Sequence, residues 1–489
     1  MAGPASSART AEDAGAGAGA GAHARAVERV REQVRRLAAA GTAARIYHGS
    51  TNSTRAQEFR REAMIDASGL DRVLHVDRER RVAVVEPNVP MDALLEATLP
   101  FGLMPPVVPE FPGITVGGAV QGGAGESSSF REGLFHDTCL AYEIVLGDRT
   151  LVEASREQNA DVFWGTACAY GSLGVLTRVD VRLVEARPYV RLRHEHVGGY
   201  AEAVARLRDA VEAGAGFVDA VMLGPGRGVV MTGELASGTG SGVGPGDGLP
   251  VATFTGRRDP WFHRHLERLG ADREELVPLR DYLFRYDRGA FWMGGHALRR
   301  VHLPDRAPVR AALDPFLRAR RLYALLHATN ISQEFFVQDL SMPAETTVEM
   351  LELLDRHVGV SPLWLCPLRP AGEDRLSPSA LDADVVVNIG AWGAFRRPPT
   401  EFVRVNRLIE REVVRLGGRK VLYAHAYYTP EELWRIYDRD WYEDLRRRCH
   451  ADPVFPDLHD KVAVKGVYRR PALVKGIWRG LRRGGLPAG

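Results

Sequence analysis

The chain has 489 residues, 45% of them hydrophobic and 26% charged, and its 64 basic residues nearly balance 62 acidic ones. This length can bury a large core and favours two domains over one. The net charge of +2 creates no field that attracts nucleic acid, so we expect no nucleic-acid partner. The four cysteines form no CxxC pair, and we predict no metal site. Without an apolar run of about 18 to 20 residues or a signal peptide, a cytoplasmic protein with no membrane span is expected.

The chain opens with an Ala- and Gly-rich segment, residues 1–25, which lacks large apolar side chains and is predicted to be disordered. From Arg25 to Leu37 apolar residues recur every three or four positions, which predicts an amphipathic helix. A β-rich run at 44–47 then leads into a polar loop. Beyond that loop the patterns predict strands at 72–76 and 82–85 and a helix at 91–98.

The first polar loop consists mainly of small residues with hydroxyl or amide groups. Small residues let successive backbone N–H groups converge, and hydroxyl groups add donors, so that such a loop can hold a pyrophosphate. An ordinary polar turn has the same composition, and this alternative stays open. The candidate cofactor-binding residues are His48, Gly49, Ser50, Thr51, Asn52 and Ser53.

The second loop spans residues 109–129 and carries five glycines between Gly117 and Gly125. Glycine loses much conformational entropy on folding, so this density indicates that a large flat group approaches the backbone closely. A flexible linker is disfavoured because the apolar residues of the loop are suited to packing in a core. The candidate cofactor-binding residues are Thr115, Val116, Gly117, Gly118, Ala119, Val120, Gln121, Gly122, Gly123, Ala124, Gly125, Glu126 and Ser127.

A third glycine segment follows a predicted β-hairpin. The hairpin covers 140–152, because two β-branched runs flank the turn at 147–148. The glycine segment, 171–175, leads directly into an alternating strand that ends at Leu183. The three loops lack the spacing of a Rossmann fingerprint and of a P-loop, so neither of those folds is predicted. The candidate cofactor-binding residues here are Gly171, Gly174 and Val175.

The glycine-loop pattern ends near Arg187, where another region of helices and strands begins, and we place a domain boundary there. Within this second region, the Gly/Ser-rich run at 236–250 has no bulky side chains and is predicted to be a flexible surface insertion. The chain ends in a basic tail at 471–489 with one tryptophan. A solvated tail is favoured over peripheral membrane contact, which stays an alternative, because one aromatic ring offers little apolar area.

Seven segments stand in a fixed order along the chain. Three begin in the first domain: ITVGGAVQGGAGESSS at 114–129, GLFHDTCLAYEIVL at 133–146 and NADVFWGTACAYGSLGVLTRVDVRLVEARPYVRLR at 159–193. Four follow: VQDLSMP at 337–343, PLWLCPL at 362–368, NIGAWG at 388–393 and YAHAYYTPEELWRIYD at 423–438. Together they resemble the delta-24-sterol reductases, also called the Diminuto family, over about residues 26–466.

The resemblance implies an α+β flavoprotein of the two-domain p-cresol-methylhydroxylase or vanillyl-alcohol-oxidase type. It implies an FAD-binding domain at 26–188, a substrate-covering domain with an antiparallel sheet at 189–410, and a C-terminal return to the FAD domain at 411–470. The family's FAD-binding stretch matches Thr115–Ser127, and NADPH is the implied electron donor. Relatives often attach the flavin through a His in the first loop or a Cys in the second. Here Asn52 stands at the His position and the second loop has no Cys, so we predict non-covalent FAD.

A reductase of this kind delivers a hydride from flavin N5 and a proton from an acid to the two carbons of a double bond. Asp339 lies in a segment shared with the family, and a carboxyl in an apolar cavity can stay protonated near neutral pH. A helix cap or an ion pair is the alternative for Asp339. Tyr427 and Tyr428 lie in the C-terminal segment, where a hydroxyl can relay a proton or the rings can simply pack.

Three functions remain as hypotheses. The first is an FAD-dependent oxidoreductase that reduces a C=C bond of an apolar sterol-like, terpenoid or polyprenyl substrate. The second is an FAD-dependent oxidase or dehydrogenase of an alcohol or sugar, because a fold does not fix its reaction. The third, a non-catalytic flavin-binding accessory protein, is disfavoured because all three glycine loops are present. The sequence makes no prediction of oligomeric state. An apolar cavity around Phe335, Phe336, Trp364 and Trp392 would favour the first hypothesis, and a cavity with many hydrogen-bond donors would favour the second; these aromatic residues are suited either to a cavity wall or to a plain core.

Overall fold

The computed structural model describes residues 5–49, 51, 53–55, 63–237 and 248–464, with side chains from Gly19 onward. Two predicted binding residues, Ser50 and Asn52, lie outside the described residues, as do the predicted basic tail and the centre of the Gly/Ser-rich insertion. Within the described part of the chain, none of the helices combines the length and the apolar character that crossing a bilayer requires.

The first half of the chain forms a five-stranded antiparallel sheet with helices around it. Its elements are α1 (Ala5–Ala39), β1 (Ile46–Tyr47), β2 (Ile65–Asp66), β3 (Val73–Asp77), β4 (Val82–Val85), α2 (Met91–Thr98), β5 (Leu103–Met104), α3 (Val116–Gly122), α4 (Ser129–Glu132), β6 (Cys139–Val145), β7 (Leu151–Ser155), α5 (Ala160–Thr166), β8 (Val175–Arg182) and β9 (Val184–Glu185). The strand order is β3-β4-β8-β6-β7, while β1 pairs with β2 and β5 with β9. The structure confirms the predicted helix at 91–98, the hairpin and the alternating strand.

The prediction that residues 1–25 are disordered differs from the structure, in which helix α1 begins at Ala5. Alanine has the highest helix propensity, and in this segment it outweighs the unfavourable glycines. His23 ties this part of the helix to the sheet. Its Nδ1 lies 2.8 Å from Oε1 of Glu86, and its Nε2 lies 3.1 Å from Oε1 of Glu143.

The second half forms an eight-stranded antiparallel sheet. Its elements are β10 (Tyr189–Val197), α6 (Tyr200–Glu212), β11 (Phe217–Gly224), β12 (Arg227–Ala236), α7 (Phe262–Arg268), β13 (Arg273–Pro278), α8 (Leu279–Leu283), α9 (Met293–Arg300), α10 (Ala307–Leu313), α11 (Ala319–Thr329), β14 (Phe335–Pro343), α12 (Ala344–His357), β15 (Leu363–Leu368), β16 (Val386–Ala394), α13 (Pro399–Arg415) and β17 (Arg419–Lys420). The strand order is β13-β10-β12-β11-β15-β16-β14-β17. The expected α+β fold with an antiparallel second sheet is confirmed.

The second sheet has one face toward a cavity and one toward its own helices. Successive side chains of a strand point to opposite faces. On β14, Val337, Asp339 and Ser341 line the cavity. The alternate residues Phe336 and Leu340 join a separate hydrophobic core on the opposite face of the sheet.

The C-terminal segment runs from the second sheet back to the first domain. Strand β17 pairs with the edge of β14, so the second sheet extends to Lys420, beyond the predicted boundary at 410. The chain then continues through α14 (Pro430–Ile436), α15 (Arg439–Arg448) and α16 (Leu458–Val462). On α15, the Tyr442 hydroxyl donates to Ser172 Oγ at 2.8 Å, and Arg446 Nη1 donates to the Ser172 carbonyl at 2.7 Å.

Candidate active site

A cavity of about 360 Å³ lies where the glycine loops of the first domain meet the second sheet and the C-terminal segment. Its volume falls within the roughly 300–1,000 Å³ of small-molecule sites. All three predicted loops contribute to it. The predicted site residues that line the cavity are His48, Thr51, Ser53, Thr115, Gly117, Gly118, Gln121, Gly122, Gly123, Ala124, Gly125, Gly171, Val175 and Asp339.

The second glycine loop lines the cavity with backbone rather than with side chains. Helix α3 begins after Thr115, whose hydroxyl accepts a hydrogen bond of 3.2 Å from Gly118 N. A Cβ atom on Gly122 would have no neighbour within 4 Å, so this glycine borders open space. Gly123 has φ +66°, and a Cβ there would lie 2.7 Å from Cys168 Sγ. The loop therefore needs glycine both for its conformation and for its close packing.

The third glycine segment is joined to the second loop. Tyr170 donates a hydrogen bond of 3.3 Å from its hydroxyl to the Gly122 carbonyl. The next residue, Gly171, has φ +75°, and a Cβ atom there would lie 2.9 Å from Ile46 Cδ1. This position requires glycine, because a side chain would be strained and would displace Ile46.

Several predicted cofactor-binding residues do not line the cavity. Only one side of a helix can face a cavity, and the other side of α3 is buried in the hydrophobic core. Gly174 packs under β6, where a Cβ atom would lie 2.7 Å from Ile144 Cγ2. The predicted residues placed behind the lining are Gly49, Val116, Ala119, Val120, Glu126, Ser127 and Gly174.

Glu126 and Ser127 instead connect the glycine loop to the second domain. Arg285 Nη2 lies 2.9 Å from Glu126 Oε1 and 2.8 Å from Asp219 Oδ2, and the side chains of all three residues are buried. Ser127 Oγ lies 2.9 Å from the Tyr282 hydroxyl. Their role in the structure is to hold the second loop against the second sheet.

Three basic side chains that the sequence interpretation missed line the cavity: Arg45, Arg55 and Lys461. Arg45 Nη2 donates to the Asp460 carbonyl at 2.8 Å, and Arg55 Nη1 donates to the Ala424 carbonyl at 3.2 Å. Among the described residues, none of the three forms a salt bridge with a carboxylate. Arg45 and Arg55 flank the first loop in sequence. Lys461 lies in the C-terminal segment, and no neighbouring sequence pattern indicates that it belongs to the cavity.

Burial of this basic group is energetically unfavourable, and a bound anion would compensate its positive charge. Burial, together with the charges of Arg45 and Arg55, lowers the pKa of Lys461 to about 7. Burial and Lys461 also lower the pKa of His48 to about 4. Within the described residues, His48 Nδ1 and Arg55 Nε are buried without a hydrogen-bond partner. Uncompensated buried positive charge of this kind favours binding of an anion.

Asp339 is the centre of a hydrogen-bonded group in the same cavity. The Tyr423 hydroxyl donates to Asp339 Oδ2 at 2.5 Å, and Asn388 Nδ2 donates to Oδ1 at 2.8 Å. Trp392 Nε1 donates to the Tyr423 hydroxyl at 3.2 Å. Burial raises the pKa of Asp339 to about 6, although its hydrogen bonds act in the opposite direction. The alternatives of a helix cap and an ion pair do not apply to this mid-strand residue.

Glu110 is a second carboxyl of the cavity, and the sequence interpretation missed it. Burial raises the pKa of Glu110 to about 8. The nearby carboxyls of Glu126 and Asp339 add to the rise, while a hydrogen bond from its own backbone N–H and the charge of Arg285 oppose it. Unlike Asp339, its side chain has no hydrogen bond or salt bridge to another side chain in the described part of the chain. Its signal in the sequence was a lone acidic residue at the start of the second glycine loop.

Tyr427 and Tyr428 lie outside the cavity. The ring of Tyr427 packs 6.5 Å from Phe402, measured between centroids, and its backbone N–H donates to Glu410 Oε1 at 2.8 Å. The ring of Tyr428 lies 5.8 Å from Lys420 Nζ. The cavity tyrosine of this segment is Tyr423, because the chain leaves the cavity after it and passes onto α13 and α14.

Aromatic rings form a continuous wall beside the two carboxyls. Phe291 lies 4.2 Å from Trp392, 5.6 Å from Trp364 and 5.7 Å from Phe111, measured between ring centroids. Tyr323 lies 6.2 Å from Phe111. All five rings line the cavity. Of the four aromatic residues that the sequence left as either wall or core, Trp364 and Trp392 belong to this wall, whereas Phe335 and Phe336 are buried in the two hydrophobic cores.

Comparison with known proteins shows the family to which this chain belongs. Residues 20–155 match a family model described as an FAD binding domain. The delta(24)-sterol reductases of Mus musculus and Homo sapiens are each 30% identical to the chain, over 80% of this chain and 76% of each relative. The chain belongs to the delta(24)-sterol reductase family. The reductase of Arabidopsis thaliana is 27% identical over 81% of this chain and 76% of the relative.

A shorter match lies outside the reductases. The decaprenylphosphoryl-beta-D-ribose oxidase of Mycolicibacterium smegmatis is 28% identical over 183 residues, which is 35% of this chain and 39% of that protein.

The family model and the reductases together identify this sterol-reductase-family protein as an FAD-binding oxidoreductase, as the sequence resemblance implied. The predicted two-domain flavoprotein fold is likewise confirmed.

The residues of the cavity fit FAD. The backbone of Gly122 and Gly123 leaves room for a flat ring system, and the basic group beside the first loop suits the two negative charges of a pyrophosphate. The residues suited to hold that pyrophosphate are Arg45, His48, Thr51, Ser53, Arg55 and Lys461.

Proposed function

We propose that this protein reduces a carbon–carbon double bond of an apolar sterol-like, terpenoid or polyprenyl substrate. When bound, FAD supplies the hydride for such a reaction. The protein excludes water, orients the double bond and supplies a proton. NADPH is the proposed electron donor, and the FAD is proposed to be non-covalent. The cytoplasmic location inferred from the sequence stays a prediction.

The observation that carries this proposal is the pairing of an aromatic wall with two carboxyls in one cavity. The rings of Phe291, Trp364 and Trp392 offer apolar surface with few hydrogen-bond donors, which suits an apolar chain or ring system. Asp339 and Glu110 lie in the same cavity, and burial raises the pKa of both carboxyls. A carboxyl that holds its proton near neutral pH is what protonation of a weakly basic double bond requires.

The oxidase alternative has weaker support. Its relative, a decaprenylphosphoryl-ribose oxidase, matches only 35% of the chain, whereas the reductases match about 80%. A sugar substrate also calls for many hydrogen-bonding groups, whereas the wall of the cavity is aromatic.

The proposal is tested with the purified holoprotein in two separate half-reactions. The flavin spectrum is first recorded during anaerobic addition of NADPH, and an acid precipitation shows whether the flavin leaves the polypeptide. The reduced protein is then mixed with a Δ24-unsaturated sterol or a polyprenol, and the product is identified by mass spectrometry. Bleaching by NADPH, flavin reoxidation by the alkene and a product heavier by two hydrogens support the proposal. Reoxidation by oxygen alone, together with flavin reduction by an alcohol or sugar, would support the oxidase instead.

A further inference from the structure

We propose that Glu110 is the catalytic acid of the cavity, and that Asp339 orients Tyr423 and the substrate without donating the proton. This assignment rests on the proposed reduction of a double bond. It reverses the role that the sequence suggests for Asp339. It depends on the different surroundings of two carboxyls that share one cavity.

The hydrogen bonds around Asp339 stabilise its ionised form. Oδ1 accepts from Asn388 and Oδ2 accepts from Tyr423. Two accepted hydrogen bonds favour the carboxylate over the carboxylic acid. In the acid one of the two oxygens carries the proton and acts as a donor, so it accepts less well. The donors that surround Asp339 therefore suit it to accept hydrogen bonds and not to release a proton.

Glu110 has the opposite surroundings. In the described part of the chain no side chain donates a hydrogen bond to its carboxyl. The hydrogen bond from its own backbone N–H favours the anion, but burial outweighs it and raises the pKa. The charged and titratable groups that act on it are Glu126 of the second loop, Asp339 of β14, Tyr323 of α11 and Arg285 after α8. Two of these are acids that oppose ionisation, and Arg285 is already paired with Glu126 and Asp219. Glu110 therefore keeps its proton while facing the cavity.

The two carboxyls are consequently separated in acidity. The pKa of Glu110 is raised to about 8, and that of Asp339 to about 6. At pH 7 Glu110 is mostly protonated and Asp339 mostly ionised. A pair of titratable groups whose surroundings separate their pKa values in this way divides into an acid and a hydrogen-bond acceptor.

The proposed step balances in atoms and electrons. The π-electron pair of the double bond takes the Glu110 proton and forms one C–H bond. The other carbon accepts the hydride that reduced FAD supplies, so that the alkene is reduced and the flavin is oxidised. Glu110 is left as a carboxylate and recovers a proton from water, and a reduced nicotinamide dinucleotide restores the flavin. The faces of Trp364 and Trp392 stabilise positive charge that develops on the second carbon.

The test compares the two half-reactions of the holoprotein and of its variants. Glu110→Gln is expected to slow flavin reoxidation by the alkene by about 10²- to 10⁴-fold, the usual contribution of a general acid. Flavin reduction by NADPH and the FAD content are expected to stay unchanged. Glu110→Asp keeps the acid and should recover part of the rate. Glu96→Gln, which removes an exposed carboxylate paired with Arg280, is the matched control and should resemble the wild type.

A second readout does not depend on turnover. Infrared spectra of the holoprotein should contain the C=O band of a protonated carboxyl that disappears as the pH rises through about 8. Glu110→Gln should lack this titrating band, and thermal unfolding verifies that the variant is folded. Glu110→Gln that reoxidises at the wild-type rate, or retains the band, overturns the assignment. Loss of reoxidation in Asp339→Asn alone transfers the role to Asp339. A wild-type protein that no alkene reoxidises contradicts the proposed function itself, whatever the infrared result.

Discussion

The Tyr423 hydroxyl donates a hydrogen bond of 2.5 Å to Asp339 Oδ2, although the two residues are 84 positions apart in the chain. Asp339 belongs to β14, and Tyr423 follows β17 in the C-terminal segment. Burial and the neighbouring Asp339 raise the pKa of Tyr423 well above its usual value, so the tyrosine keeps its proton and Asp339 is the acceptor. Together with the hydrogen bond from Trp392 Nε1 to the Tyr423 hydroxyl, this contact joins the second sheet to the C-terminal segment inside the cavity.

Replacing the donor should make Asp339 less acidic. The Tyr423 hydrogen bond acts against the burial that raises the pKa of Asp339 to about 6. A hydrogen bond to a charged group is worth about 1.5–3 kcal/mol, which corresponds to about one to two pH units. Tyr423→Phe should therefore raise the pKa of Asp339 by about that amount. Carbon-13 NMR of the Asp339 carboxyl against pH measures it, with Tyr427→Phe as the control outside the cavity. An unchanged titration would contradict the assigned hydrogen bond.

Lys461 should make FAD affinity depend on pH. In the FAD-free protein, burial with Arg45 and Arg55 lowers the pKa of Lys461 to about 7, and a bound pyrophosphate favours its charged form. Binding therefore takes up a proton above pH 7, and the affinity should fall by up to about tenfold for each further pH unit. His48, with a pKa of about 4, stays neutral in this range.

Fluorescence titration of the FAD-free protein at several pH values measures this linkage. Lys461→Met removes the charge and should weaken binding by about 10- to 150-fold at pH 7, the worth of one hydrogen bond to a charged group. Lys461→Arg keeps a permanent charge and should bind tightly without the pH dependence. Wild-type affinity that is flat across this pH range would show that Lys461 does not face the anion.

The local elements of the fold could be predicted from the sequence because their patterns are local. Helix α2 and strand β4 begin and end at the predicted residues, since period and punctuation mark both ends. The start of α1 could not be predicted in the same way. Alanine and glycine give opposing signals there, and the contact of His23 with Glu86 and Glu143 comes from distant parts of the chain.

The cavity could be predicted only in part. The glycine loops are continuous in sequence, so their clustering indicated a cofactor site. The carboxyl Glu110 and the charge of Lys461 become significant only when β14, the second loop and the C-terminal segment converge. Tyr427 and Tyr428 were predicted as candidate catalytic residues because they are adjacent in the C-terminal segment. The path of the chain after β17 instead brings Tyr423 to the cavity.

Arg285 should be critical for stability because it neutralises two buried carboxylates. Arg285→Met would leave Glu126 and Asp219 without their cation, and loss of one partner of a buried ion pair costs about 3–5 kcal/mol. Chemical denaturation measures the free energy of unfolding. Arg280→Met is the matched control, because Arg280 forms an exposed pair with Glu96 worth at most about 1 kcal/mol. Equal effects of the two substitutions would contradict a special role for the buried network.

His23 should make the attachment of α1 depend on pH. Hydrogen bonds to Glu143 and Glu86 raise the pKa of His23 to about 9 from 6.5. A raised pKa means that protonated His23 stabilises the folded state fully below pH 6.5, and that this stabilisation is lost as the pH rises through about 9. The stabilisation is expected at the lower end of about 1–3 kcal/mol, because the site is partly open to water.

His23→Gln keeps a hydrogen-bonding side chain but cannot carry the charge. Below pH 6.5 the variant should have a lower free energy of unfolding than the wild type, and above pH 9 the two proteins should converge. Urea denaturation on both sides of this window measures the difference, and protease cleavage within α1 reports whether the helix detaches first. A difference that persists unchanged above pH 9 would mean that His23 acts through packing, because the deprotonated imidazole has no charge with which to hold Glu86 and Glu143.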